Sequence, residues 1–185
     1  MRGQKVPAIA AADKALEHSK ALPVRFLAAR ILVEAGAVPR GASLARELAS
    51  QLAAEPQAYG KILEGEVALK KGNPREAVKI LEDANGVLDT WLGHFDLGRA
   101  YLELGAFLQA ESEFDRCIKR RGEALSLLDE DPTYGYLPPA YYYLGRAREG
   151  LKTAGFAESY REYLKIRGQS TEDPLLQDVR RRAGN

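Results

Sequence analysis

Apolar positions along this chain recur at three- and four-residue steps, and the recurring pattern itself recurs. Between residues 91 and 104, Leu92, Phe95, Leu97, Ala100, Tyr101 and Leu104 form one broad apolar face, which predicts a helix. Gly105 ends it, because glycine accepts the left-handed geometry of a helix C-terminus. Ala110, Phe114, Cys117 and Ile118 then line one face of a second helix. The landmarks Gly98, Tyr101, Gly105, Ala110, Phe114 and Cys117 have counterparts 33 residues upstream in Gly65, Ala68, Gly72, Ala77, Leu81 and Ala84. A fixed period of this size predicts stacked helical hairpins. Gly98 and Ala110 are expected where the paired helices cross most closely, with Tyr101 and Phe114 filling the space beside that crossing.

The period extends unevenly in both directions. A hairpin over 58–90 turns at Gly72-Asn73-Pro74, with Pro74 at an early helical position. A degenerate hairpin over 21–57 has Phe26, Leu27, Ile31, Leu32 and Ala35 in its first helix. Gly36 and Pro39 mark its turn, and Leu44, Leu48 and Leu52 its second helix. Before it, residues 6–19 read as a lone helix in which Ala8, Ala12 and Ala15 have second-helix spacing. A chain that starts halfway through a repeat is expected to be a fragment of a longer protein rather than a capped array. After the best repeat, 91–124, an insertion over 125–137 breaks the period. Arg121-Gly122-Glu123 is expected to prolong the preceding helix, and Asp129 to Pro139 to form a loop. A last hairpin over 138–168 has Tyr142, Leu144, Gly145, Ala147 and Leu151, then Phe156, Tyr160, Tyr163 and Leu164, with its small-residue spacing slipped by one. Asp173-Pro174 reads as the N-cap and first turn of a capping helix over 173–183, with Leu175, Leu176 and Val179 on one side. The expected fold is a single all-α domain of about four stacked hairpins with an extra helix at each end.

Composition narrows the function classes. Of 185 residues, 45% are apolar and 29% charged, as in a soluble globular protein. A formal charge of +1 supplies no field for nucleic acid or an anionic membrane. No apolar run approaches the roughly 18 residues that span a bilayer. One cysteine rules out an intrachain disulfide framework. These features favour a cytoplasmic protein. His18 and His94 have no Cys or His neighbour at ligand spacing, and Asp129-Glu130-Asp131 lacks calcium-loop spacing. Lys119-Arg120-Arg121 and Arg180-Arg181-Arg182 read as solvated helix ends. Cys117 reads as a buried inert thiol. No catalytic set, cofactor motif or metal site is visible.

With Leu97-Gly98-x-x-Tyr101, Gly105, Ala110-x-x-x-Phe114 and Cys117 in place, the chain resembles tetratricopeptide repeat proteins. The match covers 91–124 best, then 58–90 and 138–168, where Leu144-Gly145 stands in the Leu97-Gly98 position, and 21–57 least. His94 occupies the usual tryptophan position, with Trp91 three residues earlier, and Gly122 replaces the terminal proline. The strings Asp89-Thr90-Trp91-Leu92-Gly93, Cys117 to Leu125, Tyr134-Gly135-Tyr136-Leu137-Pro138-Pro139 and Tyr141-Tyr142-Tyr143-Leu144-Gly145-Arg146 also resemble the C-terminal repeat region of bacterial eukaryotic-like serine/threonine kinases. No kinase element is present. The resemblance implies a right-handed superhelix and a non-catalytic interaction region of a larger signalling protein, with a protein or peptide partner.

The inner surface of such an array comes from the first helices. By register its candidates are Arg25 in the first hairpin, then Tyr59, Glu66 and Lys70. Phe95, Asp96, Arg99 and Glu103 follow in the third, and Tyr142, Tyr143, Arg146 and Glu149 in the last. Two readings stay open. The surface is a peptide groove anchored by Tyr and Arg, or its aromatics pack between repeats while its charges are solvated. The asparagines by which related arrays clamp the C-terminal carboxylates of heat-shock proteins are absent. For the cluster Tyr134, Tyr136, Tyr141, Tyr142 and Tyr143, packing against the last hairpin is favoured over partner binding. Self-association or spacing through an end face is the alternative role, and an enzyme or ligand receptor ranks last.

Overall fold

A computed structural model describes residues 4–123 and 133–184. Ten α-helices account for most of them. They are α1 (Lys5–His18), α2 (Leu22–Ala35), α3 (Val38–Ala49), α4 (Ala54–Lys70), α5 (Pro74–Val87), α6 (Trp91–Leu104), α7 (Phe107–Lys119), α8 (Leu137–Leu151), α9 (Phe156–Arg167) and α10 (Leu176–Arg182). A 3₁₀ turn, Thr133–Tyr136, leads into α8, and no strand occurs among the described residues. Consecutive helices pack side by side, and α2, α4, α6 and α8 also touch one another in order. The result is an all-helical, repeat-like stack of four hairpins with α1 and α10 at its ends, in which α2, α4, α6 and α8 form an inner layer.

One turn geometry closes all four hairpins. Gly36, Gly72 and Gly105 adopt φ of 100°, 78° and 77°, and Lys152 takes the same place with φ 56°. The next residue's N–H then reaches back five residues. Ala37 donates to Leu32, Asn73 to Ala68, Ala106 to Tyr101 and Thr153 to Arg148, at 2.8 to 3.1 Å. These bonds satisfy carbonyls that the helix end leaves open.

Seven residues before each of these left-handed positions the inner helix carries a small residue: Ala29, Gly65, Gly98 or Gly145. A Cβ on the three glycines would lie 2.6 Å from Leu81, 2.8 Å from Phe114 and 2.5 Å from Tyr160, respectively. The large side chain therefore occupies the volume that the glycine vacates. Burying it is worth about 1.5–3 kcal/mol. The partner lies 16 residues downstream in the middle hairpins and 15 in the last, which is where the one-residue slip falls. In the first hairpin the small residue on the outer helix is Gly41, whose Cβ would meet Val33 at 2.4 Å.

Several local expectations are corrected. The buried face of α3 is Gly41, Ala45 and Leu48; of the expected leucines Leu48 alone is buried, Leu44 is half-buried, and Leu52 lies beyond the helix, fully exposed. Close approach selects small residues there over large ones. Helix α7 stops at Lys119, and Arg121-Gly122 form a turn instead of prolonging it. Pro138 and Pro139 lie in the first turn of α8, not in a loop. Proline is tolerated there because first-turn N–H groups have no intrahelical partner. Asp173 does not cap a helix containing Pro174. Its Oδ1 accepts the Leu175 N–H at 3.0 Å in a turn, and α10 starts at Leu176. Tyr101 lies at a half-exposed edge, where its hydroxyl donates to Glu82 at 2.6 Å; Phe114 alone fills the crossing. Residue 124 and the first part of the insertion, residues 125–132 with the acidic run Asp129-Glu130-Asp131, lie outside the described residues.

The main core joins the middle hairpins. Trp91 stacks on Phe95 with ring centroids 5.5 Å apart, and its Nε1 donates to the Cys117 carbonyl at 2.9 Å. The Cys117 thiol is buried, which pushes its pKa up and fits an inert side chain. A second, smaller core sits between α8, α9 and α10, with Tyr142, Tyr160, Tyr163, Leu176 and Val179 buried. No described helix is long and apolar enough to cross a membrane.

Candidate functional site

The residue that follows each small position on an inner helix is charged: Arg30, Glu66, Arg99 and Arg146. One helical turn later stand Glu34, Lys70 and Glu103. Because i and i+4 share a helix face, these seven side chains form two rows across the inner layer. The repeat places them: Lys70 follows Glu34 by 36 residues, and Arg99 follows Glu66 by 33.

The deeper row is knitted together. Arg30 donates to both carboxylate oxygens of Asp96, at 2.6 and 2.8 Å, and both side chains are buried. Arg99 bridges Asp96 at 2.8 Å and Glu66 at 2.6 Å. The Arg30 guanidinium also lies 4.7 Å above the Tyr136 ring. Burial alone would push the Asp96 carboxyl up, but the two arginines outweigh it and hold Asp96 ionised below its ordinary range. Burial also acts against the charge on Arg30, and Asp96, with Tyr136 and Glu66, together more than offset it. Glu34 fares differently. Burial pushes its carboxyl up, Arg30 only partly opposes this, and the Arg30 Nε stands 3.6 Å away without a hydrogen-bond partner.

Above this floor opens a groove of about 890 Å³. Its charged lining is Lys5, Glu34, Glu66, Lys70, Arg99 and Glu103. Pro7, Ala8 and Ala11 of α1 form one apolar wall, and Ile31, Leu69, Leu102 and Tyr143 from the inner helices and Pro174 complete the apolar lining.

The structure divides the sequence candidates. Glu66, Lys70, Arg99, Glu103 and Tyr143 line the groove. Asp96 lies beneath it, fully buried. Tyr59 and Phe95 are buried in the core; Tyr59 packs on Phe26 at 4.9 Å, and Phe95 contacts Trp91, Phe114, Tyr136 and Tyr143. Arg25 pairs with Glu47 at 2.7 Å. Tyr142, Arg146 and Glu149 belong to the C-terminal end. Arg146 donates to the Tyr142 hydroxyl at 3.0 Å, which donates to Asp178 at 2.9 Å. Glu149 accepts from Tyr160 at 3.0 Å and pairs with Arg182. Tyr136, Tyr142 and Tyr143 all make ring contacts inside the fold, and Tyr141 packs on the second core; the Tyr134 side chain is outside the described set.

Sequence reasoning missed Arg30, Glu34 and the α1 wall. Arg30 carried a signal, because it interrupts the apolar stripe Phe26, Ala29, Leu32, Val33, and a charge inside such a stripe needs a buried partner. Outside the groove, the His94 ring sits between Glu113 at 2.5 Å and Asp89 at 2.8 Å. No group of acids, His and Cys among the described residues could hold a metal ion. Comparison of the chain with family models, with curated proteins and with solved structures found no match.

Proposed function

We propose that the chain is a non-catalytic protein-interaction module of tetratricopeptide type, a right-handed superhelix whose inner groove receives a segment of a partner protein. The observation that carries this reading is the groove itself. Five helices that no single hairpin supplies, α1, α2, α4, α6 and α8, line one channel over a floor of paired charges. A floor fixed by bidentate ion pairs is preorganised, so little ordering entropy opposes association. The resemblance to the repeat region of bacterial kinases supports placement in a larger cytoplasmic signalling protein. A dimerisation role through an end face has no comparable observation in its favour.

Blocking the groove tests the reading. Ala11 is exposed and lines the channel, so Ala11→Trp fills it from the wall without disturbing the core. Leu108, 68% exposed on α7 and absent from the groove lining, provides the control Leu108→Trp. Wild type and Leu108→Trp should bind members of an unbiased decapeptide positional-scanning library, and Ala11→Trp should lose that binding. Equal binding by Ala11→Trp would place the interaction elsewhere.

A further inference from the structure

We infer that the groove selects a peptide whose charges run basic, acidic, basic at three-residue intervals in a polyproline II conformation, an inference that rests on the peptide-binding reading above. The upper row of the groove alternates in sign from one inner helix to the next: Glu34 on α2, Lys70 on α4, Glu103 on α6. Lys70 and Glu103 are exposed. Among the described residues the Lys70 ammonium touches the Glu34 backbone carbonyl alone, at 3.4 Å, and Glu103 is in no hydrogen bond or ion pair. Arg30 has its two terminal nitrogens on Asp96 and turns only its Nε toward Glu34, at 3.6 Å, while Arg99 is shared by Glu66 and Asp96, so the floor takes up most of both guanidinia and Lys70 and Glu103 keep their charges open. Glu34 sits in a partly dehydrated place where an added N–H donor would relieve its burial.

The spacing follows from helix packing. Neighbouring packed helices lie about 8–10 Å apart, so successive charges in the row stand roughly that far from each other. A polyproline II chain rises 3.1 Å per residue with three residues per turn. Its positions i, i+3 and i+6 therefore share one face at about 9 Å steps, in step with the inner helices. An extended β-strand would put i and i+3 on opposite faces. The complement of Glu34, Lys70 and Glu103 is then basic-x-x-acidic-x-x-basic, with apolar residues between to meet Ile31, Leu69 and Leu102. The pattern reads the same in both directions, so either polarity of the bound chain satisfies it.

Two labelled peptides test this by fluorescence anisotropy on the whole chain: acetyl-AKPLEPLKA-amide and its charge-swapped form acetyl-AEPLKPLEA-amide. Wild type should prefer the first by about tenfold or more, the factor that one or two charge-assisted contacts supply, and the preference should shrink with salt. The variant Lys70→Glu/Glu103→Lys changes two exposed residues only, so it should fold normally by circular dichroism. It should prefer acetyl-AKPLKPLEA-amide, which matches the rewritten row. Equal affinity of wild type for the two peptides, or an unchanged preference in the variant, overturns the inference and leaves the groove reading standing. Binding of other library decapeptides but of neither test peptide does the same. Failure of wild type to bind any decapeptide of the unbiased library overturns the groove reading and this inference with it.

Discussion

The α6–α7 and α8–α9 hairpins solve one packing problem with different chemistry. Both place a glycine seven residues before a left-handed turn residue, and both drop an aromatic ring into the space above it: Phe114 on Gly98, Tyr160 on Gly145. In α6–α7 the surroundings are apolar, with Trp91, Phe95 and Cys117 buried and a charge cluster sealed beneath them. In α8–α9 the aromatic is a tyrosine whose hydroxyl needs Glu149, and Glu149 in turn holds Arg182 of α10. The middle hairpin has packed helices on both sides, while among the described residues α10 alone packs beyond the last. The contrast teaches that the small-residue crossing is the invariant part of this array. The neighbours decide whether it is sealed by apolar area or by polar ties.

The largest expected effect comes from the sealed cluster. Asp96→Ala should cost about 3–5 kcal/mol, because it leaves Arg30 buried with its charge unpaired. Urea unfolding monitored by Trp91 fluorescence measures it, and a shift below about 1 kcal/mol would mean that water reaches Arg30. The polar end offers the contrast, since its acid partners are half-exposed and rehydrate when broken.

Next come the crossings themselves. Gly98→Leu should cost about 3 kcal/mol, as overpacking drives Phe114 out of its place. Gly145→Leu should cost less, because α9 can move away with only α10 to displace. Urea midpoints of the two variants give the comparison directly. Equal losses would show that the C-terminal end is as tightly held as the middle.

The smallest effect separates the two turns. Lys152 holds φ 56°, a conformation that costs a side-chain-bearing residue about 1–2 kcal/mol, where Gly105 holds φ 77° freely. After the greater chain entropy of unfolded glycine is deducted, Lys152→Gly should stabilise the chain by about 0.5 kcal/mol. Gly105→Lys should destabilise it by about 1 kcal/mol. Thermal unfolding of the pair reads both signs.

Much of this hairpin logic was legible in the sequence. Gly65 and Gly98 mark the crossings, Gly72 and Gly105 mark the turns, and the period between them follows from both. The first hairpin was not legible in the same way, because the leucines at 44, 48 and 52 suggested a buried row while Gly41 and Ala45 actually face the crossing. Hydrophobicity ranks leucine above glycine, but the separation between two backbones reverses that order. The groove was legible in part. Glu66, Lys70, Arg99, Glu103 and Tyr143 were identified from register, whereas Tyr59 and Phe95 were drawn into the core by ring contacts that register does not contain.

The amino-acid order alone placed most of the helices, the glycine turns at Gly36, Gly72 and Gly105 and the 33-residue step between the middle hairpins, since these follow from local backbone preference and spacing. Tertiary structure alone decided which charges became structural and which stayed open. Arg30 and Asp96 lie 66 residues apart, two repeats along the chain, and meet only when the inner helices stack. Lys70 and Glu103 are no less charged, but they stand one helical turn further along and stay exposed, with the half-buried Glu34 between the two conditions. Burial, which is a property of the assembled layer and not of any one helix, made the difference.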